Sequence, residues 1–201
     1  MNSPEYHHRL VAAVLALAAF ASVVPDATAA ASPAPAVVSH EVLRVGTAVA
    51  APGHVSRGEI PVPAGSDPGY GIPVIAVNGS SPGPTLALVG GLHGVEFANI
   101  VALQKLLAMF DPEKISGKVI IIPLVNVAGF DAKVRRINPV DGKNMNRFFP
   151  GSPSGTQTER ASYEIARTVI DPADYVIDYH GGDIDEDQRP YTFWKIGRAH
   201  V

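Results

Sequence analysis

Two unbroken apolar runs, TLALVGG at 85–91 and KVIIIPLVN at 118–126, constrain this chain more than any other feature. Neither alternates apolar with polar residues, so each reads as a strand buried on both faces rather than one with a wet side. Between them, Val95, Ala98, Ile100, Val101, Leu103, Leu106, Leu107 and Phe110 recur at helical spacing, and Asp111-Pro112 closes the segment, which predicts a helix over 94–110. The same alternation extends both ways. IPVIAV (72–77) is a β-branched run ended by Asn78-Gly79, and SSPGP reads as a further turn. TQTERASYEIARTVI (156–170) is an amphipathic helix opened by a Thr156-to-Glu159 capping box, and DYVIDYH (174–180) is another strand. Strand, helix, strand, helix, strand predicts an α/β fold with right-handed crossovers and a mostly parallel central sheet flanked by helices. His40 to Pro68, punctuated by glycine and proline, reads as an early edge region. There is no internal repeat.

The 201 residues suffice for one domain of ordinary size. A net charge of -3 without a clustered basic excess excludes an ordinary nucleic-acid binder. Cysteine is absent, so there is no disulfide framework, thiolate nucleophile or thiolate metal site, and any metal must be held by nitrogen and oxygen. Residues 1–29 have the layout of a secretory signal peptide: Arg9, an apolar run from Leu10 to Val24, Pro25, and Ala27-Thr28-Ala29 as a small-x-small cleavage site. That run is shorter than the ~20 residues of a spanning helix, so no stable membrane span is expected after cleavage, an uncleaved anchor being the alternative. Residues 30–39, rich in Ala, Ser and Pro, read as a disordered leader. The expected location is therefore secreted or periplasmic. The closing KIGRAHV (195–201) resembles read-through of a sequencing adapter, which sets aside His200 and leaves 40–194 as the N-terminal part of a domain incomplete at its C-terminus.

GGLHGVE (90–96) places His93 and Glu96 three positions apart where a strand gives way to a helix. Imidazole nitrogen and carboxylate oxygen suit zinc, and glycines at 90, 91 and 94 let the backbone bend there. A rim histidine beside a glutamate favoured by a helix N-terminus is the plainer alternative. Asp178 and His180 are two apart on a strand and share a face, so Asp178 is placed to hold the second ring nitrogen of His180. Asn126 ends the strand between, so three segments deliver polar side chains to the carboxyl edge of the sheet, where α/β folds bind ligands. In RRINPVDGKNMNRFFPG (135–151), arginine forks are suited to carboxylates, although the prolines and glycines alone read as a structural loop.

GLHGVE, RRINPVDGKNMNRFFPG and DYHGG, in this order, resemble the succinylglutamate desuccinylase/aspartoacylase family of the zinc carboxypeptidase superfamily, over roughly Gly71 to Trp194. The resemblance implies a zinc-carboxypeptidase-like fold with a central mixed sheet flanked by helices. It implies one Zn2+ ion held by His93, Glu96 and His180, with Arg136 stabilising the oxyanion (Arg135 being the adjacent alternative) and Asn146 and Arg147 gripping a substrate carboxylate. The implied enzyme is a zinc-dependent amidohydrolase that deacylates a small N-acylated amino acid; a zinc carboxypeptidase acting on peptides, such as those derived from the cell wall, and a non-catalytic exported binding protein are the rival readings. The family's general-base glutamate follows the third ligand at a distance, and no residue here, Glu186 included, is assigned to it. His40 and His54 read as surface residues, DIDEDQR (183–189) as a solvated loop, and Phe148, Phe149, Tyr191 and Trp194 as packing residues.

Overall fold

The computed structural model describes residues 40–193; the expected signal peptide (1–29), leader (30–39), Trp194 and tail (195–201) lie outside the described residues. A small antiparallel pair, β1 (Leu43–Val45) and β2 (Ala48–Ala50), precedes the main sheet. That sheet contains β3 (His54–Val62), β4 (Tyr70–Asn78), β5 (Ser81–Gly90), β6 (Ser116–Ile122) and β7 (Tyr175–Tyr179), in the order β3-β4-β6-β5-β7. The expected early edge region is thus a long edge strand, β3.

The expected mostly parallel sheet is corrected to an evenly mixed one. β3 with β4 and β4 with β6 are antiparallel; β6 with β5 and β5 with β7 are parallel. Connection length is the reason. Only residues 79 and 80 join β4 to β5, too few for a crossover, so the chain must reverse. The connections that contain helices, from β5 to β6 and from β6 to β7, return the chain parallel. SSPGP is also not a free turn. It forms the start of β5, where the register with β6 shifts between Ser81 and Thr85, a place that tolerates prolines lacking an N–H.

Helix α1 is Phe97–Leu107, shorter than expected because Gly94, Val95 and Glu96 form a non-helical approach to it. α2, Val127–Ala132, was not expected: β6 ends at Ile122, Pro123 cannot donate to a ladder, and Asn126 caps a new helix by accepting from the Gly129 N–H at 2.9 Å. α3, Gln157–Ile165, opens with the expected capping box and passes into a π-helical turn at Ala166–Ile170.

Period-two alternation divides the core between the two faces of the sheet. Ile72, Val74 and Ala76 of β4 and Ile120 and Ile122 of β6 face one way, against Ala161 and Ile165 of α3 and the β1–β2 pair. Ile75 and Val77 of β4 and Val119 and Ile121 of β6 face the other, against Leu103 of α1. Each such Val, Leu or Ile side chain, buried fully, contributes about 1.5–3 kcal/mol relative to exposure. The two covered faces leave the carboxyl end of β5, β6 and β7 as the edge where loops gather.

Candidate metal centre

β5 and β7 are parallel neighbours with Gly90 opposite Tyr179, so the residues following each emerge side by side. Beyond Gly90 the chain turns at Gly91, whose φ of 66° favours glycine and whose carbonyl accepts from the Val125 and Asn126 N–H groups at 3.2 and 2.9 Å. Gly94 then passes so close to α2 that a Cβ there would lie 2.2 Å from the Phe130 nitrogen. This turn, fastened to the end of β6 and to α2, carries His93 and Glu96; His180 is the first residue past β7.

The three side chains converge. His93 Nδ1 lies 2.7 Å from Glu96 Oε1, and His180 Nδ1 lies 3.1 Å from Glu96 Oε2 and 3.4 Å from Oε1. One donor atom from each falls within 4.8 Å of the others, and the imidazole centroids are 5.0 Å apart. His93 and Glu96 are buried, at 8% and 5% exposure, while His180 opens to solvent. Burial works against a charged Glu96, but hydrogen bonds from His180 and His93 outweigh it and hold the carboxyl at about 2. The Asp178 carboxylate, then that of Glu96, raises His180 to about 10. Such a site holds a proton on His180 that an incoming cation would displace.

The remaining ring nitrogens are also engaged. His180 Nε2 lies 3.1 Å from Asp178 Oδ2, the same-face contact that two-residue strand spacing predicts. Asn146 Nδ2 is 3.2 Å from the same nitrogen, so Asn146, expected at a substrate carboxylate, stands beside the candidate donors. His93 Nε2 lies 3.2 Å from Asn144 Oδ1, a residue that sequence reasoning passed over. It carried no signal beyond its place two before Asn146 in NMNR. Asn99 was missed as well: its Nδ2 donates to Glu96 Oε2 at 2.9 Å and to the Tyr179 carbonyl at 3.0 Å. One turn past Glu96 on α1, its helical spacing alone was the available hint. Asn126 does lie at this edge, but its amide caps α2 and donates to the Ile137 carbonyl at 3.1 Å.

The arginines divide. Arg136, at φ 58°, donates from Nε to Asp183 at 3.1 Å and from Nη2 to Glu186 at 2.7 Å, while Arg135 pairs with Asp185. Hence 183–189 is not simply a solvated loop; its acids clasp both arginines, and Asp183 is only 5% exposed. Arg147 is exposed and donates to the Asn146 carbonyl. Of the expected packing residues, Phe149 does lie against the core, Phe148 lies beneath the Lys143 ammonium at 4.8 Å, and Tyr191 is 65% exposed.

Two imidazole nitrogens and one carboxylate oxygen are the donors a divalent cation of intermediate softness takes, and three protein ligands leave room for a fourth. His93, Glu96 and His180 can therefore hold a metal ion. The chain is similar to known proteins over this region. The succinylglutamate desuccinylase/aspartoacylase catalytic domain matches residues 82–192, which include all three donors. An N-alpha-acetyl-L-2,4-diaminobutyric acid deacetylase of Halomonas elongata is 41% identical over 121 residues, 60% of this chain and 35% of that protein. The crystal structure of an aspartoacylase family protein from Mesorhizobium loti is 36% identical with a TM-score of 0.58, covering 65% of this chain and 41% of that one. The product-bound ectoine utilization protein EutE (DoeB) of Ruegeria pomeroyi is 35% identical with a TM-score of 0.57, covering 63% and 39%. The chain thus spans between 35% and 41% of the length of these relatives. It belongs to the succinylglutamate desuccinylase/aspartoacylase family.

Proposed function

We propose that this chain carries the metal-binding part of a zinc-dependent deacylase that hydrolyses the amide bond of a small N-acylated amino acid. The convergence of His93, Glu96 and His180 within 4.8 Å, inside the segment matched by the family, is the observation that carries the reading. A zinc ion held there would polarise the scissile carbonyl and lower the pKa of a bound water. The chain's own groups orient the donors and the substrate. Asp178 accepts a hydrogen bond from His180 Nε2 and Asn144 one from His93 Nε2, so the Nδ1 nitrogens, which face Glu96, are the ones that would give lone pairs to an ion once it displaces their hydrogen bonds to the carboxylate. Arg136, held by Asp183 and Glu186 through Nε and Nη2, is the residue assigned to the oxyanion that develops when the carbonyl is attacked, its remaining guanidinium N–H groups being the donors. Arg147, exposed beside Asn146, offers a guanidinium to a substrate carboxylate. Hydrolysis adds water across the C–N bond and yields a carboxylate and an amine.

The name of the Halomonas relative favours an acetylated diamino acid as the substrate class. The layout of residues 1–29 favours export to the periplasm or the medium. Metal analysis of the purified chain tests the first step, with one zinc per chain expected and loss in His93→Ala. Hydrolysis by a protein spanning the full length of these relatives tests the second. Release from N-acetylated diamino acids and N-succinyl amino acids supports a deacylase; release only from peptides with free C-termini would replace it with a carboxypeptidase. Stoichiometric zinc without hydrolysis in either panel would leave a binding protein.

A further inference from the structure

Glu96 presents two oxygens, and the protein treats them differently. Oε1 faces the imidazoles, 2.7 Å from His93 Nδ1 and 3.4 Å from His180 Nδ1. Oε2 lies 3.1 Å from His180 Nδ1 and also accepts from two donors that are not metal ligands, Asn99 Nδ2 at 2.9 Å and the Gly181 N–H at 3.1 Å. Asn99 is 5% exposed, and its Nδ2 also donates to the Tyr179 carbonyl, one residue before His180. Its own carbonyl oxygen, Oδ1, is buried without a partner. A buried amide that leaves its acceptor unsatisfied is a net burden on folding, which an apolar residue of similar size would avoid. The arrangement makes sense when both N–H groups have work to do: one on the carboxylate, the other on the strand end that carries the third donor.

We infer that Asn99 is a positioning residue for the metal centre. It reserves Glu96 Oε2 together with the Gly181 N–H, leaves Oε1 as the single ligating oxygen, and ties the start of α1 to the end of β7 so that Glu96 and His180 keep their spacing. Single-oxygen ligation keeps the protein's share at three donor atoms and one position open, the condition a hydrolytic zinc site needs. The inference rests on the metal reading above.

Zinc and cobalt(II) titrations of wild type, Asn99→Ala and Asn99→Asp separate the two. Asn99→Asp has the same size and so leaves no cavity; ionised, it donates to neither oxygen and repels Glu96. Both variants are expected to weaken zinc binding about 10–100-fold, the usual range for residues that orient a ligand. The visible absorption of the cobalt-loaded Asn99→Ala chain is expected to fall as Glu96, freed to turn, adds its second oxygen and raises the coordination number. Variants that lose only thermal stability, with zinc affinity within about twofold of wild type and an unchanged cobalt spectrum, overturn the positioning role while leaving the metal site intact. A wild-type chain that binds neither metal overturns both.

Discussion

Asn144 uses one oxygen for two purposes: Oδ1 accepts from the Asn146 N–H at 3.0 Å and faces His93 Nε2 at 3.2 Å. With a proton kept at Nε2, Nδ1 is the nitrogen left to ligate once an ion replaces its hydrogen bond to Glu96. Replacing Asn144 with alanine is therefore expected to weaken zinc binding about 10-fold or more, while Asn144→Asp, whose carboxylate makes the imidazole more basic, should bind at least as tightly as wild type. Calorimetric titration with zinc checks both, and equal affinities in all three proteins would reject the role. At this scale the histidines, Glu96 and Asp178 could be picked out because each stands at a strand end beside glycines. Asn144 and Asn99 were harder: Asn144 meets His93 from 51 residues away, and Asn99, though one turn from Glu96, is fixed by a second contact to Tyr179 80 residues away, which local spacing does not mark.

Among the elements, α1 and α3 carry the clearest consequences. Leu103 on α1 is fully buried, and Gly90 lies so close that a Cβ there would stand 2.6 Å from Leu103 Cδ1. That contact sets the helix against the end of β5 and so sets where Glu96 begins it. Leu103→Ala should lower stability by about 2–5 kcal/mol, read as a shift in denaturant midpoint; a change below about 1 kcal/mol would mean α1 is held elsewhere. On α3, Glu159 Oε2 accepts from Lys143 Nζ at 2.7 Å and from the backbone and hydroxyl of Thr156 at 2.9 and 3.0 Å. Led by Lys143, these bonds hold its carboxyl at about 2, below the ordinary 4.5. A carboxyl lowered on folding stabilises the native state fully above its unfolded value, and this contribution fades as pH falls from about 4.5 toward 2. Urea unfolding of wild type against Glu159→Gln is expected to show a difference at pH 7 that shrinks by pH 3; a gap independent of pH would refute the assignment. Helix α3 and its box were legible because capping is local, within four residues. The reach of β6 was not, since an apolar run continuing through Pro123 to Val125 looks alike whether it ends as a strand or as the approach to α2.

For the molecule as a whole, the metal centre joins the two ends of a parallel strand pair, so an ion that binds only the folded chain should stabilise all of it. Free zinc at about 100 times its dissociation constant is expected to add about 2.7 kcal/mol. For a unit of this size that is a rise of roughly 5–10 °C in Tm, reversed by a chelator. His180→Ala should abolish the rise, and a rise that survives the substitution would place the ion elsewhere. Residue order alone was enough to read the alternation of strands and helices, the two-sided burial of the apolar stretches in β5 and β6, and the residues that follow the end of β5. Periodicity and turn chemistry act over a few residues and can be read without knowing the fold. Three-dimensional packing was needed to show that the sheet is evenly mixed, that the acids of 183–186 clasp Arg135 and Arg136, and that two asparagines stand against the donors. Strand order and side-chain partnership are settled by which distant segments pack together, and that information is spread over the whole chain rather than written in any one stretch of it.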